Sequence, residues 1–276
     1  MWLPDQLRVF PLIAFLALLW LLESRVPLYR YDTNRWLRDL PNLALTALLI
    51  LTNVVLSFVT VRISRFSLNN GFGLFFLFNL PPWLIGLSGL AAMDLLTYFA
   101  HVLLHKSWLG WQFHRVHHSD REVNVTTAFR QHPGETIWRI LWQAMAIAVF
   151  GIPMWVVIIY LTISTLNAQL EHTNIKLIEP LDRVLRILFV TPNMHKVHHS
   201  REQFQTDTNY GNIFSVWDRV FGSHTSAVDF RNLHYGLEDF DGANNQTLSA
   251  LLRLPFLVAA KVGSTARSKH ATGSRD

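Results

Sequence analysis

The chain has 276 residues, 50% of them hydrophobic and 16% charged, with no cysteine and a formal net charge of +5. So apolar a composition excludes an ordinary soluble domain and suits a multi-span membrane protein, while the missing cysteines exclude disulfides, cysteine-ligated iron–sulfur clusters and thiolate-ligated haem. The basic excess, with a sequence pI near 9.7, is scattered rather than gathered into a stripe, which argues against a nucleic-acid partner and for anionic lipid headgroups as the surrounding counter-charge.

In chain order, residues 9–22 form an apolar stretch short for a span, open to reading as a tilted span, an interfacial helix or a signal-peptide core. Glu23-Ser24-Arg25-Val26-Pro27 follows it instead of a small-residue cleavage site, so the segment reads as retained. Residues 43–61 carry no charge and meet the ~20 residues needed to cross a bilayer. The apolar runs 72–80 and 83–93 flank Pro81-Pro82, and this pair predicts a helix beginning at 83. That helix runs through Asp94 and carries His101 and His105 out of the bilayer at its end. Gly151-Ile152-Pro153 divides the apolar block 137–168 into two shorter spans or a hairpin. From Lys176 onward the chain is more polar, with a weak amphipathic helix over 248–262 kinked at Pro255 and a basic, disordered tail over 266–276. The fold class expected is all-α: a multi-span membrane bundle with a helical cap, one domain over 1–265 with its histidine-rich core at 83–225. The loop 23–39 holds Arg25, Arg30, Arg35 and Arg38 against Arg62 and Arg65 in the next, which places the first loop in the cytoplasm. Counting spans from there returns every histidine cluster to the cytoplasmic face.

Thirteen histidines occur, and nine fall at four places: His101/His105, His114/His117/His118, His172 and His195/His198/His199. Residues three and four apart share a helix face, so each group aims its imidazoles into one small volume. Without a metal such crowding costs desolvation and, on protonation, mutual repulsion. One tetrahedral zinc takes four ligands at most, so nine imidazoles imply two ions of higher coordination number, which fits iron and its oxygen chemistry. His224, His234 and His270 are isolated and read as non-ligands. His114-Arg-Val-His117-His118-Ser119 recurs as His195-Lys-Val-His198-His199-Ser200, an echo that reads as each triplet serving one side of the metal pair. A zinc-dependent membrane hydrolase needs only three protein ligands, and no His-Glu-x-x-His is present. A metal transporter would place its ligands within the spans rather than at their ends. No Gly-x-Gly-x-x-Gly fingerprint appears, so two electrons must come from an external donor, either a partner protein or a diffusible reductant. Asp94, Tyr98, Glu135, Asn174, Asp207, Asn209 and Asp218 are candidates to accept the outer N–H of a metal-bound imidazole. Arg130 and His132, just before an apolar span, are placed to hold a lipid headgroup or to anchor the helix end.

These residues resemble the fatty acid hydroxylase and sterol desaturase superfamily of membrane di-iron oxygenases. Asp94-x3-Tyr98-x2-His101-x3-His105 is similar to its first box, and Trp111-Gln-Phe-His114-Arg-Val-His117-His118-Ser119 to its second. Ala128-Phe-Arg130-Gln-His132-Pro133-x-Glu135 resembles the segment that follows, and Gln169-Leu-Glu-His172-Thr-Asn174 the third box. Thr191-Pro-Asn-Met-His195-Lys-Val-His198-His199-Ser200, with Asn209-Tyr210-Gly211 and Trp217-Asp218-x2-Phe221-Gly222, resembles the fourth box and its tail. The likeness covers roughly residues 80–225 and leans toward bacterial members and the alkylglycerol monooxygenase branch. Some relatives carry His-x3-His in the third box, where Ala168 stands here; that leaves open nine ligands or His132 as a tenth. The resemblance implies two irons (with zinc as a mismetallation product), O2, and hydroxylation of a C–H bond of a fatty acyl, sterol or ether lipid in a bacterial inner membrane. Desaturation and carotenoid oxidation on the same site are its alternatives, and oligomeric state stays open.

Overall fold

The computed structural model describes residues 5–31, 34–225 and 233–257. Its regular structure is helical; among the described residues the only β-pairing is an isolated bridge between Phe189 and Phe214. Helices α1 (Asp5–Arg25) and α2 (Arg35–Asn70) open the chain, and a 3-10 turn at Leu74–Leu77 leads to α3 (Pro82–Lys106). Then come α4 (Trp108–His118), a 3-10 turn at Val125–Phe129, α5 (Pro133–Phe150) and α6 (Met154–His172). Five short helices follow: α7 (Glu179–Leu185), α8 (Pro192–His198), α9 (Gln203–Thr206), α10 (Val216–Val220) and α11 (Leu248–Arg253).

The punctuation follows the sequence. Pro82 occupies the first turn of α3, where its missing N–H costs nothing. Gly151 adopts the left-handed conformation that ends α5 (φ 73°), and α6 starts after Pro153, so the 137–168 block is a helical hairpin. Leu74–Leu77 is only a turn, and Gly73 in front of it passes the hairpin bend so closely that a Cβ would lie 2.4 Å from the Gly151 nitrogen. The amphipathic segment at 248 ends as a helix at Arg253, with Pro255 inside a closing 3-10 turn; residues 258–262, the 266–276 tail and His270 lie outside the described residues.

Three helical segments among the described residues are long and apolar enough to cross a membrane: Arg35–Leu77, Pro82–Lys106 and Met154–His172. They differ in setting. The apolar window of the first is only 11% buried and that of the second 50%, so α2 faces outward while α3 is central. The main core joins α3, α5 and α6 through Ala92, Met93, Ile147, Val156 and Tyr160. A second core joins α2, α4 and α11 through Leu45, Val116, Leu251 and Leu254. The expected uncharged stretch 43–61 is the middle of a 36-residue helix, because nothing after Val61 breaks it until Gly71.

Candidate metal centre

Four chain segments converge at one end of the α3–α6 bundle. His101 and His105 occupy the last turns of α3. Ser107 is then a one-residue joint: its N–H closes α3 onto Leu103, and its Oγ caps α4 by accepting from Gly110 N at 3.1 Å. The fold-back is tight enough that a Cβ on Gly110 would lie 2.7 Å from the Leu103 oxygen. His114, His117 and His118 are thereby turned toward His101 and His105. His172 ends α6. Thr191 caps α8, donating at 2.6 Å to the buried Asp182, and Pro192 starts the turn that presents His195, His198 and His199.

The nine imidazoles fall into two groups, His101, His105, His114, His118 and His198 in one, and His117, His172, His195 and His199 in the other; candidate donor atoms within each lie within 4.8 Å of one another. The groups adjoin, with the His118 and His199 rings stacked at 4.6 Å. The triplets do not each serve one side, as their echo had implied. Each is divided: His114 and His118 go to the first group and His117 to the second, whereas His195 and His199 go to the second and His198 to the first. Helix geometry explains this, since i+4 lies about 40° to one side of i and i+3 about 60° to the other.

Hydrogen bonding does not account for the second group. His172 Nδ1 donates to the Ala168 carbonyl at 2.7 Å, leaving Nε2 with a lone pair. The Nε2 atoms of His117, His195 and His199 approach that nitrogen at 3.2, 3.1 and 3.1 Å, and one lone pair accepts one of three donors. In the first group His101 Nδ1 donates to the Tyr210 carbonyl at 2.9 Å, and His114 Nδ1 faces Glu135 Oε1 at 3.0 Å, so two lone pairs oppose each other at 3.1 Å. Two nitrogens bound at right angles to one ion at about 2.1 Å sit about 3.0 Å apart. His198 Nδ1 donates to Thr208 O at 2.8 Å, while its Nε2, His118 Nε2 and His105 Nε2 are buried without a hydrogen-bond partner in the protein. Buried orphan nitrogens in such number fit cations shared by each group. Burial, then the neighbouring imidazoles, pushes His117, His118, His195 and His199 well below the usual 6.5. His198 is pushed down in the same way, by burial and then by His105 and His114. All five are therefore neutral, the form that ligates.

The carboxylates divide by role. Glu135 faces His114 and is itself held by Arg139 Nε and Nη2 at 2.9 and 2.8 Å. Asp207 pairs with Lys106 at 2.9 Å and stands 3.6 Å from His105 Nδ1. The carboxylates of Asp94 and Asp218 meet none of the nine clustered histidines. Asp94 accepts from the backbone N–H of Ile213 and Phe214 and from Trp217 Nε1. Asp218 accepts from Tyr210 N and Gly211 N. Between them they hold the loop whose Tyr210 carbonyl receives His101. Asn209, with φ 55°, pins the same loop to Met194 and Thr225. Tyr98 bonds Ser223 at 2.7 Å, and Asn174 ties the end of α6 to Tyr29.

Of the two residues before the apolar span, His132 takes the helix-anchoring alternative and Arg130 is turned inward. His132 lies outside both groups: its Nδ1 caps α5 by accepting from Gly134 N at 3.0 Å, and its ring packs on Phe113. Arg130 is 1% exposed. Its guanidinium donates to Val116 O, Asn42 Oδ1, Ser119 Oγ and Gln246 Oε1, so it braces the histidine helix from inside rather than meeting a headgroup. His224 and His234 lie outside both groups. Sequence reasoning passed over Glu171, whose Oε1 is 3.8 Å from His195 Nε2, although an acid adjoining His172 was a visible signal. It also passed over Arg139, recognisable as the i+4 partner of Glu135. The carbonyls of Ala168, Thr208 and Tyr210 leave no trace in a sequence, since every residue has one.

No solved structure matches the chain. Alkylglycerol monooxygenase of Homo sapiens is 33% identical over 167 residues, covering 58% of this chain and 35% of that protein. Ornithine lipid hydroxylase OlsE of Rhizobium tropici is 30% identical over 136 residues, covering 49% of this chain and 40% of that protein. The chain thus spans between a third and two fifths of the length of these relatives. The model of the fatty acid hydroxylase family matches residues 86–223, a segment that holds all nine clustered histidines and half of the sequence, and the chain belongs to that family.

Proposed function

We propose that the protein is a membrane-bound di-iron oxygenase that inserts one oxygen atom of O2 into a C–H bond of a lipid, the other leaving as water with two electrons and two protons from an external donor. The observation that carries this reading is the meeting of four Nε2 atoms at His172, which calls for a cation, beside a second group of five imidazoles. His101, His105, His114, His118 and His198 would hold one iron and His117, His172, His195 and His199 the other. Iron supplies the activation of O2 and the hydrogen abstraction. The chain's own residues do the rest. Glu135 holds the outer nitrogen of His114, and the Tyr210, Thr208 and Ala168 carbonyls hold those of His101, His198 and His172, so each ring is fixed before an ion arrives. Burial of the whole cluster keeps bulk water from the reacting carbon. Residues 1–265 form one domain in this reading, in a bacterial inner membrane with the centre at its cytoplasmic face, where a soluble or peripheral reductant approaches and the lipid arrives from the bilayer. The activities for which these relatives are named, monooxygenation of an alkylglycerol and hydroxylation of an ornithine lipid, support a polar-headed lipid as substrate.

The test combines metal analysis with isotope labelling. Protein reconstituted with iron and reductant, given lipid extract under oxygen-18 gas, should yield a lipid carrying one heavy oxygen at a former C–H position. A product with neither the label nor a new double bond overturns the oxygenase reading, and an unlabelled product with a new double bond replaces hydroxylation by desaturation.

A further inference from the structure

Just beyond the His114–His118 triplet the fold leaves a cavity of about 680 Å³, within the ~300–1,000 Å³ typical of ligand sites. One wall is the first two turns of α2, with Leu37, Leu40 and Pro41; the opposite wall is Leu248 at the start of α11. Leu37 is 71% and Leu40 60% exposed, and they continue the outward-facing surface of α2, the least buried of the candidate spans. The inner end is polar, with Arg38, Arg121 and Arg130 against Asp120 and Glu122. Arg38 and Arg130 meet carboxylates, whereas Arg121 is paired with none among the described residues. Arg38 pairs with Glu122 at 2.8 Å and with Asp39, and the buried Arg130 has Asp120 as its counter-charge. Arg121 donates to the Asp241 carbonyl, an acceptor without formal charge. An apolar wall continuous with a bilayer-facing helix and a polar end with a guanidinium that meets no carboxylate match an amphiphile with an anionic head.

We infer that this cavity is a headgroup site for an anionic membrane lipid, with Arg121 meeting the headgroup and the alkyl chain lying along Leu37 and Leu40 toward the bilayer. Arg130 joins the site to the metal centre: it borders the cavity and donates to Val116 O and Ser119 Oγ, on either side of His117 and His118. A lipid seated here anchors α2 against the segment that carries those histidines. The inference rests on the reading of the chain as a membrane protein but not on its oxygenase chemistry.

Calorimetric titration of the full chain, iron-loaded in uncharged detergent, with dihexanoyl-phosphatidylglycerol tests it without turnover. Saturable binding is expected, with dihexanoyl-phosphatidylcholine and inorganic phosphate each about ten-fold weaker or more, the scale of one lost charge-assisted contact. Arg121→Gln should weaken the phosphatidylglycerol titration by about the same factor. Ala243→Trp, at an exposed lining position, should abolish it by filling the cavity. Equal binding of the two phospholipids, or binding unchanged in Ala243→Trp, overturns the headgroup site; inorganic phosphate binding as tightly as phosphatidylglycerol overturns a lipid as its occupant. Ala243→Trp carries the test if Arg121→Gln does not fold. Iron content measured on the same samples separates the two proposals, since absent lipid binding with full metal counts only against this one.

Discussion

In His101, His114, His172 and His198 the outer nitrogen meets a carbonyl or carboxylate and the inner one carries the lone pair. Replacing His117 or His198 by Ala should lower bound metal and abolish lipid oxidation, whereas His234→Ala, outside both groups, should change neither. Full metal and activity in His198→Ala would end the two-ion reading. The outer nitrogen of His114 rests on a carboxylate, so Glu135→Gln should weaken metal affinity about 10–100-fold while leaving the fold intact, as measured by chelator competition and circular dichroism. Protonation follows the same logic. His117, His118, His195, His198 and His199 are held neutral when folded, well below the 6.5 of an exposed imidazole. Below that value the unfolded chain binds protons that the folded chain refuses, so stability is present above about pH 6.5 and lost as pH falls, by up to about 1.4 kcal/mol per pH unit for each imidazole. Metal-stripped protein should therefore show a falling melting temperature between about pH 7 and about pH 5, steeper than that of a His117→Ala, His199→Ala variant. A flat profile would refute buried neutral rings.

Elements aim these residues through their ends more than their middles. The α3–α4 joint turns within Ser107, and the absence of a side chain at Gly110 lets α4 lie against α3. Gly110→Ala puts a Cβ 2.6 Å from Ser107 Oγ and 2.7 Å from Leu103 O, so the joint must open and the two parts of the first histidine group separate. Lower metal content and a lower melting temperature are expected together. Gly242→Ala, where the nearest atom is 3.5 Å away, should match the parent in both. Asp94 works at longer range. Its four acceptor contacts hold the loop at 212–217, and Asp218 carries that order to the Tyr210 carbonyl behind His101. Asp94→Ala should loosen metal binding although Asp94 touches no histidine, and Asp94→Asn, which keeps one acceptor oxygen, should retain part of it.

For the whole molecule, lengths matter. The 36 residues of α2 extend about 54 Å at 1.5 Å each, well beyond a hydrocarbon core of about 30 Å. One end therefore projects, and its first turns stand beside Asp120 and Glu122 of the histidine-bearing segment. The end of α1 and the start of α2, which bracket the arginine-rich stretch, lie at this same end, joined to the histidine cluster through Glu23, which accepts from Val125 N and Asn174 N at 3.0 and 2.9 Å. Charge bias and histidine placement thus point to one face, cytoplasmic in our proposal. Reporter fusions after residue 70 and after residue 276 should read opposite sides of the membrane. The same side for both would refute the span count.

The nine clustered histidines, the proline and glycine breaks and the uncharged run of α2 could all be read from the chain, because ligand type, backbone restriction and hydropathy are properties of single residues at short spacing. Helix ends at Pro82 and Gly151 needed no tertiary information. What the sequence could not assign was the partner of each side chain. The echo of the two triplets told that both belong to the histidine cluster but not that each is divided between its two groups, since the division depends on how α4 and α8 are rotated about the centre. Arg130, read as a headgroup contact before an apolar span, proved to be an internal brace because α2 and the 246 region, 88 and 116 residues away along the chain, close over it. Asp94 and Asp218 kept their importance but exchanged an imidazole for backbone N–H groups as partners. Spacing constrains which residues share a face; only the packing of distant segments decides what that face meets.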